Sequence, residues 1–271
     1  MTTSKMTSQG TTRFPAVAGM FYPADRGKLH KDVQAYLSEV DLPHDVQVPK
    51  AIIAPHAGYI YSGPVAASAY ARLLPERDRI HRVVLLGPSH RVPFRGLAAS
   101  SADSFTTPLG EIPLDRQAID ALDDLPQVHH LDEAHTQEHS LEVHLPFLQE
   151  VLDDFQLVPL VVGDARPADV AEVLERLWGG PETLIVISSD LSHYHDYISA
   201  KRMDRHTSDV IEHLQAEAIH SEDACGCVPV SGLLYLARQH GLHAHTIDLR
   251  NSGDTAGPRD QVVGYGAYVF N

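Results

Sequence analysis

The sequence predicts a single-domain α/β protein in which a central mixed sheet lies between two layers of helices, making three layers in all. Three observations favour this fold. Short, unbroken apolar runs, typical of strands buried on both faces, recur along the chain. They alternate with stretches in which apolar residues recur at helical spacing. No linker or low-complexity segment follows residue 12, so we expect a disordered leader over residues 1–12 and one domain over residues 13–271.

Each element follows from its local pattern. Residues 13–23 are rich in aromatic residues and proline, which favours an extended segment packed on the core. Asp25 is expected to cap a helix whose apolar stripe continues to Val40. Strands are predicted over residues 51–54, 83–86, 156–162, 183–187, 244–249 and 261–270, the last of them broken at Gly264 and Gly266.

Further helices alternate with these strands. They are predicted over residues 64–73, 116–125, 141–152, 168–178 and 229–239. Pro146 must either kink the third of these helices or mark its restart. Residues 94–115 contain Thr-Pro-Leu-Gly, a β-turn signature, and are expected to form a hairpin-like excursion.

Composition and charge exclude two classes of partner. The formal net charge is −15 and Lys and Arg form no cluster, which argues against nucleic acid or an anionic membrane as the main partner. No apolar run approaches the roughly 20 residues of a membrane-spanning helix, and the N-terminus lacks a hydrophobic signal core. Cys225 and Cys227 are too close in sequence for a structural disulfide, which agrees with a reducing compartment. We therefore expect a cytoplasmic protein with free thiols.

Histidine follows three of the predicted strands at the point where each strand ends. His56 comes directly after Pro55, and the sequence Gly-Pro-Ser-His places His90 after the second strand. The sequence Ser-Ser-Asp-Leu-Ser-His places Asp190 and His193 after the strand over 183–187. Ligands of open α/β sheets bind outside the carboxyl ends of the strands, so we expect these side chains to converge there.

These side chains suit a metal site. Neutral imidazoles are good ligands for iron, zinc and copper, which makes His56 and His90 candidate ligands; the alternative is that each imidazole only caps its loop. Cys225 precedes a helix that is expected to begin at Pro229. It is either a thiolate favoured by the helix dipole, acting as a third ligand or as a nucleophile, or a small buried apolar residue.

Two polar groups are candidates for supporting roles. Asp190 and His193 suit a carboxylate that orients an acid/base histidine, although such pairs also occur in ordinary loops. Glu138, His139 and Glu142 form a polar patch at a helix start, either as outer partners of the metal or as a solvated helix face. Other histidines are expected at the surface, among them those at positions 129, 130, 135, 240, 243 and 245.

Six motifs together resemble one known family. They are Ala-Pro-His-Ala-Gly-Tyr-Ile-Tyr-Ser-Gly at 54–63, Leu-Gly-Pro-Ser-His at 86–90, Thr-Pro-Leu-Gly at 107–110, Glu-His-Ser-Leu-Glu-Val-His-Leu-Pro-Phe-Leu at 138–148, Ser-Ser-Asp-Leu-Ser-His at 188–193 and Val-Gly-Tyr-Gly-Ala at 263–267. Over residues 13–270 the chain resembles the Memo family, whose prokaryotic branch is called AmmeMemoRadiSam system protein B. The resemblance implies a fold similar to the LigB-type class III extradiol dioxygenases.

Those dioxygenases hold Fe(II) by two His and one Glu and use a further His as acid/base. By this resemblance, His56 and His90 match the two His ligands and Cys225 matches a Cys that Memo proteins have in place of the Glu. His193 matches the acid/base His, with Asp190 in the same motif. The expected metal is Fe(II), with copper or zinc as alternatives, because a thiolate ligand also suits softer metals.

The remaining residues of the expected site are outer partners of the metal or lining residues of a substrate cleft: Tyr59, Glu138, His139 and Cys227. Two features depart from the family pattern. His144 stands where Gln is usual, and Cys227 adds a second thiol beside the expected one.

The resulting hypothesis is a mononuclear non-haem metal protein that oxidises a small molecule with O₂. A non-catalytic module that carries iron or copper, or that binds a peptide or partner protein in the same cleft, is the alternative. A zinc-dependent hydrolase is a third possibility. The family association adds radical SAM and AMMECR-type proteins as expected partners.

Overall fold

The computed structural model describes residues 10–43 and 45–271, and most of the expected leader, residues 1–9, lies outside this part of the chain. Thr12, the last residue of that leader, pairs with Ser104 in a strand. Within the described residues the strands are β1 (Thr12–Arg13), β2 (Ala51–Ala54), β3 (Arg82–Pro88), β4 (Leu97–Ala99), β5 (Ser104–Thr107), β6 (Gly110–Pro113), β7 (Val128–His130), β8 (Gln156–Val162), β9 (Thr183–Ser188), β10 (His193–His195), β11 (Ala244–Asn251) and β12 (Val262–Phe270).

The α-helices of the same residues are α1 (Arg26–Ser38), α2 (Tyr59–Tyr70), α3 (Arg116–Asp120), α4 (Asp132–Thr136), α5 (Leu145–Val151), α6 (Pro167–Arg176), α7 (Tyr197–Glu212) and α8 (Cys227–His240). Short 3₁₀ turns cover Ala71–Glu76, Glu142–His144, Ala216–Ala218 and Ser252–Asp254. No helix in the described ranges is long and apolar enough to cross a membrane.

A nine-stranded mixed sheet forms the centre of the fold, as the sequence predicts. Its order is β10–β12–β2–β9–β3–β8–β4–β7, and β11 pairs with β12. Strands β2, β9, β3 and β8 run parallel, whereas β12 is antiparallel to β2 and β4 is antiparallel to β8. Every residue of β2 and β9 is buried, as expected for strands covered by helices on both faces. The carboxyl ends of the parallel strands therefore meet at one edge of the sheet.

The helices pack in separate groups around this sheet. Helices α1, α2 and α5 contact one another, α6 packs on α8, and α7 packs on β11 and β12. Asp25 caps α1 by accepting a hydrogen bond from the Lys28 N–H, which confirms the predicted helix start. The predicted excursion over 94–115 contains the antiparallel hairpin of β5 and β6, which forms a second, three-stranded sheet with β1.

Two helices begin before the proline at which the sequence predicted their start. Helix α2 begins at Tyr59, five residues before the predicted start, and includes Pro64 in its second turn. Helix α8 begins two residues before Pro229. Pro146 lies in the first turn of α5 and marks the expected restart of the helix. Proline lacks an N–H, so Pro146 and Pro229 are tolerated in a first turn, where the N–H groups have no intrahelical partner.

Strand β12 continues through Gly264 and Gly266, where the sequence predicted a break. The glycine at 264 is required by a neighbour on α7, because a Cβ there would lie 2.2 Å from Oδ2 of Asp204. Glycine in a strand marks a close approach here, not the end of the element.

A buried ion pair fastens the segment that follows β1 to the core. Arg13 Nη1 and Glu142 Oε2 are 2.5 Å apart, with side chains 7% and 0% exposed. The Glu142 carboxylate also accepts hydrogen bonds from the backbone N–H groups of Ala16 and Val17 and from the Tyr22 hydroxyl. The expected polar patch at this helix start is therefore buried, and its Glu142 organises the N-terminal segment.

Candidate metal centre

The parallel strands bring the predicted histidines together. His56 lies two residues after β2 and His90 two residues after β3, and β9 separates these strands in the sheet. The imidazole centroids of His56 and His90 are 5.2 Å apart, with the rings in an edge-on arrangement. The predicted convergence of strand-exit side chains is correct for this pair, because the register aligns the carboxyl ends of the strands.

His56 has one ring nitrogen fixed by hydrogen bonds and the other free for a ligand. Its Nδ1 is 2.6 Å from Ser188 Oγ, and Ser188 Oγ donates to the Ser140 carbonyl at 2.6 Å. A carbonyl only accepts, so the Ser188 proton points to Ser140 and Nδ1 of His56 must donate. The lone pair of the neutral imidazole is then on Nε2. Burial and the neighbouring histidines lower the pKa of His56, which keeps it neutral.

His90 is arranged in the same way by a carboxylate. Its Nδ1 is 2.8 Å from Glu138 Oε1, and its backbone N–H donates to Oε2 of the same side chain. Burial opposes ionisation of Glu138, but its hydrogen bonds with His90 and with the Ser140 N–H lower its pKa to about 2. An ionised carboxylate accepts the proton of Nδ1 and leaves Nε2 of His90 for a metal.

His139 joins these two histidines. One potential ligand atom from each of His56, His90 and His139 lies within 4.8 Å of the others. The rings of His90 and His139 stack at 4.7 Å, and Nδ1 of His139 is buried without a hydrogen-bond partner among the described residues. Burial lowers the pKa of His139 to about 4. The sequence assigned His139 to the outer partners of the metal or to a cleft. In the structure, a ring nitrogen of His139 instead lies close enough to those of His56 and His90 to share a metal ion.

Cys225 also approaches this group. Its Sγ lies 3.4 Å from Nε2 of His56, the nitrogen that carries the lone pair, although it is not part of the group within 4.8 Å. The expected stabilisation of a thiolate by the following helix is outweighed by burial and by the charge of Asp190, which raise the thiol pKa to about 12. Without a cation the thiol is protonated, whereas a coordinated thiol loses its proton.

Asp190 supports His56 and not His193. Its Oδ1 accepts the backbone N–H of His56 at 2.8 Å, and no hydrogen bond joins it to the His193 imidazole within residues 10–43 and 45–271. Burial raises the pKa of the Asp190 carboxyl to about 7, although hydrogen bonds from the backbone N–H groups of His56 and Ala57 oppose this rise. The hypothesis that Asp190 orients His193 is therefore wrong, because the carboxylate turns toward the loop after β2.

A different aspartate holds the loop of His193. Asp204 Oδ1 accepts the Ser192 N–H at 3.0 Å, and the Ser192 carbonyl accepts the N–H of Gly264 on β12 at 2.8 Å. His193 itself is partly buried at the start of β10, and burial lowers its pKa. The next residue, Tyr194, has a positive φ of 62° and a side chain 70% exposed. His193 thus lies on a separately anchored loop at the start of β10, which β12 separates from β2. Its charge contributes to lowering the pKa of His56.

Two other residues of the expected site, Tyr59 and Cys227, pack in or against the hydrophobic core. Tyr59 is buried, its hydroxyl donates to the Val143 carbonyl at 2.7 Å, and its ring packs on Phe147 at 5.0 Å; it belongs to the core and not to a cleft. Tyr59 lies in the core because the start of α2 packs against apolar side chains. Cys227 opens α8 and packs against the core, and burial raises its pKa.

Three residues that the sequence did not indicate also contribute to the centre. Ser188 and Ser140 fix the tautomer of His56, and Phe21 packs its ring against His139 at a centroid distance of 4.8 Å. Only the position of Ser188 at the strand exit could have signalled its role. His135, expected at the surface, is buried and its Nε2 lies 3.0 Å from the Ala98 carbonyl.

Substitution of Glu138 by glutamine tests the support of His90. The variant keeps the side-chain volume but loses the charge that holds the Nδ1 proton, so we expect metal affinity to fall by about 10- to 100-fold. Competitive titration with a metal chelator measures this affinity. Glu133→Gln, at an exposed position of α4, is the matched control. Unchanged affinity in Glu138→Gln would show that the carboxylate does not support a ligand.

Comparisons with known proteins agree on one family. The family model described as Memo-like protein matches residues 13–269. A MEMO1 family protein of Saccharolobus islandicus is 36% identical over 282 residues, covering 95% of this chain and 99% of that relative. Another, from Aquifex aeolicus, is 36% identical over 273 residues and covers 95% of this chain and 98% of its own.

A solved structure supports the fold alone. The crystal structure of an uncharacterized protein from Escherichia coli superposes with a TM-score of 0.53 at 11% sequence identity. The superposition covers 82% of this chain and 100% of the Escherichia coli chain.

Proposed function

The chain belongs to the Memo-like protein family, and on that premise we propose that it is a mononuclear non-haem iron protein that oxidises a small molecule with O₂. His56, His90 and Cys225 are the proposed ligands, and His139 stands beside them as a further donor. His193 is the proposed acid/base residue. Copper or zinc could occupy the same ligands, since thiolate and imidazole suit both.

One observation carries the metal-binding part of this proposal. Both His56 and His90 have Nδ1 engaged by a buried acceptor, which leaves Nε2 of each ring available to a ligand. With His139, these rings each offer a nitrogen within 4.8 Å of the others, a separation suited to a common ion. Histidines that bind metals are commonly oriented through their second nitrogen in this way. The contact of 3.4 Å between Sγ of Cys225 and Nε2 of His56 supports a thiolate as a third ligand of the same ion.

The oxidation part of the proposal depends on an open side of the centre. His90 retains 30% of its side-chain exposure, so a small molecule can approach the ligands from solvent. Bound Fe(II) would supply the redox centre for reaction with O₂. His193 forms no ion pair with a carboxylate among the described residues and its pKa is lowered by burial, so a ring nitrogen can accept a proton from a substrate hydroxyl.

Oxygen consumption by the iron-loaded protein tests this function. With a panel of catechols and other small aromatic molecules, we expect turnover in the wild type and a loss of about 100-fold in kcat for His193→Ala, since general acid–base catalysis contributes roughly this factor. The variant should retain its iron, because His193 is not a proposed ligand. His195→Ala, an exposed neighbour on β10, serves as the control.

Other outcomes would assign a different role. Tight binding of iron or copper with no oxygen uptake across the panel would contradict the oxygenase proposal and favour a metal carrier. Turnover that persists in His193→Ala at the wild-type rate would remove His193 from the reaction.

A further inference from the structure

A cavity between α1, α2 and β11 contains an arginine, Arg72, that has no counter-ion among the described residues. The cavity, here called the Arg72 cavity, measures about 440 Å³ and lies among Tyr36, Glu39, Ser68, Arg72, Asp248 and Arg250. This volume is in the range of small-molecule sites. The cavity lies along α2 from Pro64 to Ser68 and continues to Arg72, two residues past the end of that helix.

The guanidinium of Arg72 has no partner within the described part of the chain. Its side chain makes no hydrogen bond or ion pair there, and its Nε is buried without an acceptor. Burial alone lowers its pKa, with no acidic group opposing the shift. The ten residues outside the described ranges, 1–9 and 44, include no Asp or Glu. A partly buried cation without an anion is unfavourable, so a bound anion would stabilise this site.

The second arginine of the Arg72 cavity differs from the first. Arg250 is paired with Asp248, whose Oδ1 accepts from Nε at 2.9 Å and whose Oδ2 also accepts from Ser68 Oγ at 2.8 Å. The Ser68 hydroxyl and the Asp248 carboxylate are therefore already engaged. Arg72 remains as the cation that is available for a ligand.

Tyr36 supplies a hydroxyl to the same cavity. Its side chain is partly buried, and its hydroxyl has no hydrogen-bond partner in residues 10–43 and 45–271. The ring lies against Gly63 of α2, where a Cβ would come within 2.7 Å of Tyr36 Cε2. The glycine at 63 thus lets the phenol reach the cavity, where it can donate a hydrogen bond to an anion beside Arg72.

From this arrangement we infer that the Arg72 cavity binds a small monocarboxylate, held by the Arg72 guanidinium and the Tyr36 hydroxyl. A planar guanidinium suits a carboxylate through two parallel hydrogen bonds. Glu39, Asp41 and Asp248 carry three negative charges at the cavity, against the two positive charges of Arg72 and Arg250. Asp248 is neutralised by Arg250, and Glu39 and Asp41 are exposed, where solvent screens their charge. The acidic groups repel a doubly charged phosphate more strongly than a singly charged carboxylate.

Titration of ¹⁵N-labelled protein with acetate, propionate and benzoate at fixed ionic strength tests this inference. We expect saturable shifts of the amide signals of Val40, Ser68 and Ile247, which line the cavity. Arg72→Gln should weaken binding by about tenfold or more, because it removes a charged hydrogen-bond donor. Tyr36→Phe, which deletes only the hydroxyl, should weaken binding less. Arg79→Gln, at an exposed arginine paired with Glu76, should bind as the wild type does.

The titration separates the possible results without depending on a single variant. Shifts of the wild-type signals that fail to saturate would overturn the inference even if Arg72→Gln did not fold. Equal binding by folded Arg72→Gln and wild type would also overturn it. Tighter binding of inorganic phosphate at the same amides would contradict the assignment to monocarboxylates. Metal content should be equal in all these variants, since no residue that lines the cavity is a proposed metal ligand.

Discussion

Replacement of His56 by alanine is expected to leave the anaerobically purified protein almost without metal. His56 is held in place at the end of β2 by Asp190 and Ser188, and its Nε2 faces Cys225. Loss of an outer partner of a ligand typically costs about 10- to 100-fold in affinity, so loss of the ligand itself should cost more than about 100-fold. Metal content per chain, measured by elemental analysis, reports this loss directly.

The control for this substitution is another histidine. His206 is exposed on α7, away from the strand exits, so His206→Ala should retain the metal content of the wild type. Similar far-UV circular dichroism of both variants would show that the fold is kept. Wild-type metal content in folded His56→Ala would contradict the assignment of His56 as a ligand.

Removal of the Glu142 carboxylate is expected to cause a large loss of stability. Glu142→Ala leaves the Arg13 guanidinium buried without its counter-ion and leaves the N–H groups of Ala16 and Val17 without their acceptor. Breaking a buried pair by removing one partner costs about 3–5 kcal/mol. Denaturant unfolding should therefore show a lower midpoint, and the free energy of unfolding should fall by this amount.

An exposed pair provides the comparison. Glu217 contacts Arg238 at 3.1 Å, but 72% of its side chain is exposed, so Glu217→Ala should unfold near the wild-type midpoint. If Glu142→Ala unfolded at the same midpoint as Glu217→Ala, the buried network would not be what anchors the N-terminal segment.

The network around Glu142 also reaches the metal centre. Arg13 donates to the backbone carbonyl of Glu138 at 2.7 Å, and the Glu138 carboxylate holds His90. The segment after β1 contributes Phe21, which packs on His139. The N-terminal segment is therefore part of the wall of the centre, and its attachment through Arg13 and Glu142 keeps that wall in place.

The sequence predicted six of the nine strands of the central sheet and the positions of His56 and His90 because both depend on local patterns. The short strands β4, β7 and β10 were not predicted. An apolar run followed by proline or glycine marks a buried strand and its exit, and parallel pairing then brings the exits to one edge. The proximity of His139 could not be predicted in the same way. It follows the short helix α4, and its distance from His90 depends on how that segment folds back over β3.

The partner of Asp190 shows the same limit. Asp190 and His193 are three residues apart, which suggested a direct pair, but the chain turns between them so that His193 pairs with Val263 on β12. Asp190 remains at the end of β9, beside β2, and accepts the His56 N–H instead. Two residues that are close in sequence are therefore separated in space, because Asp190 follows β9 and His193 begins β10.

X-ray absorption spectroscopy of the metal in the wild-type protein tests the central claim most directly. The proposed ligands predict two or three imidazole nitrogens and one sulfur in the coordination shell, the sulfur at about 2.3 Å as is usual for a metal–thiolate bond. The sulfur contribution should disappear in Cys225→Ser, while the imidazole contribution should remain. A wild-type protein that retains no metal after anaerobic purification and reconstitution, or whose metal has no imidazole ligand, would contradict the claim.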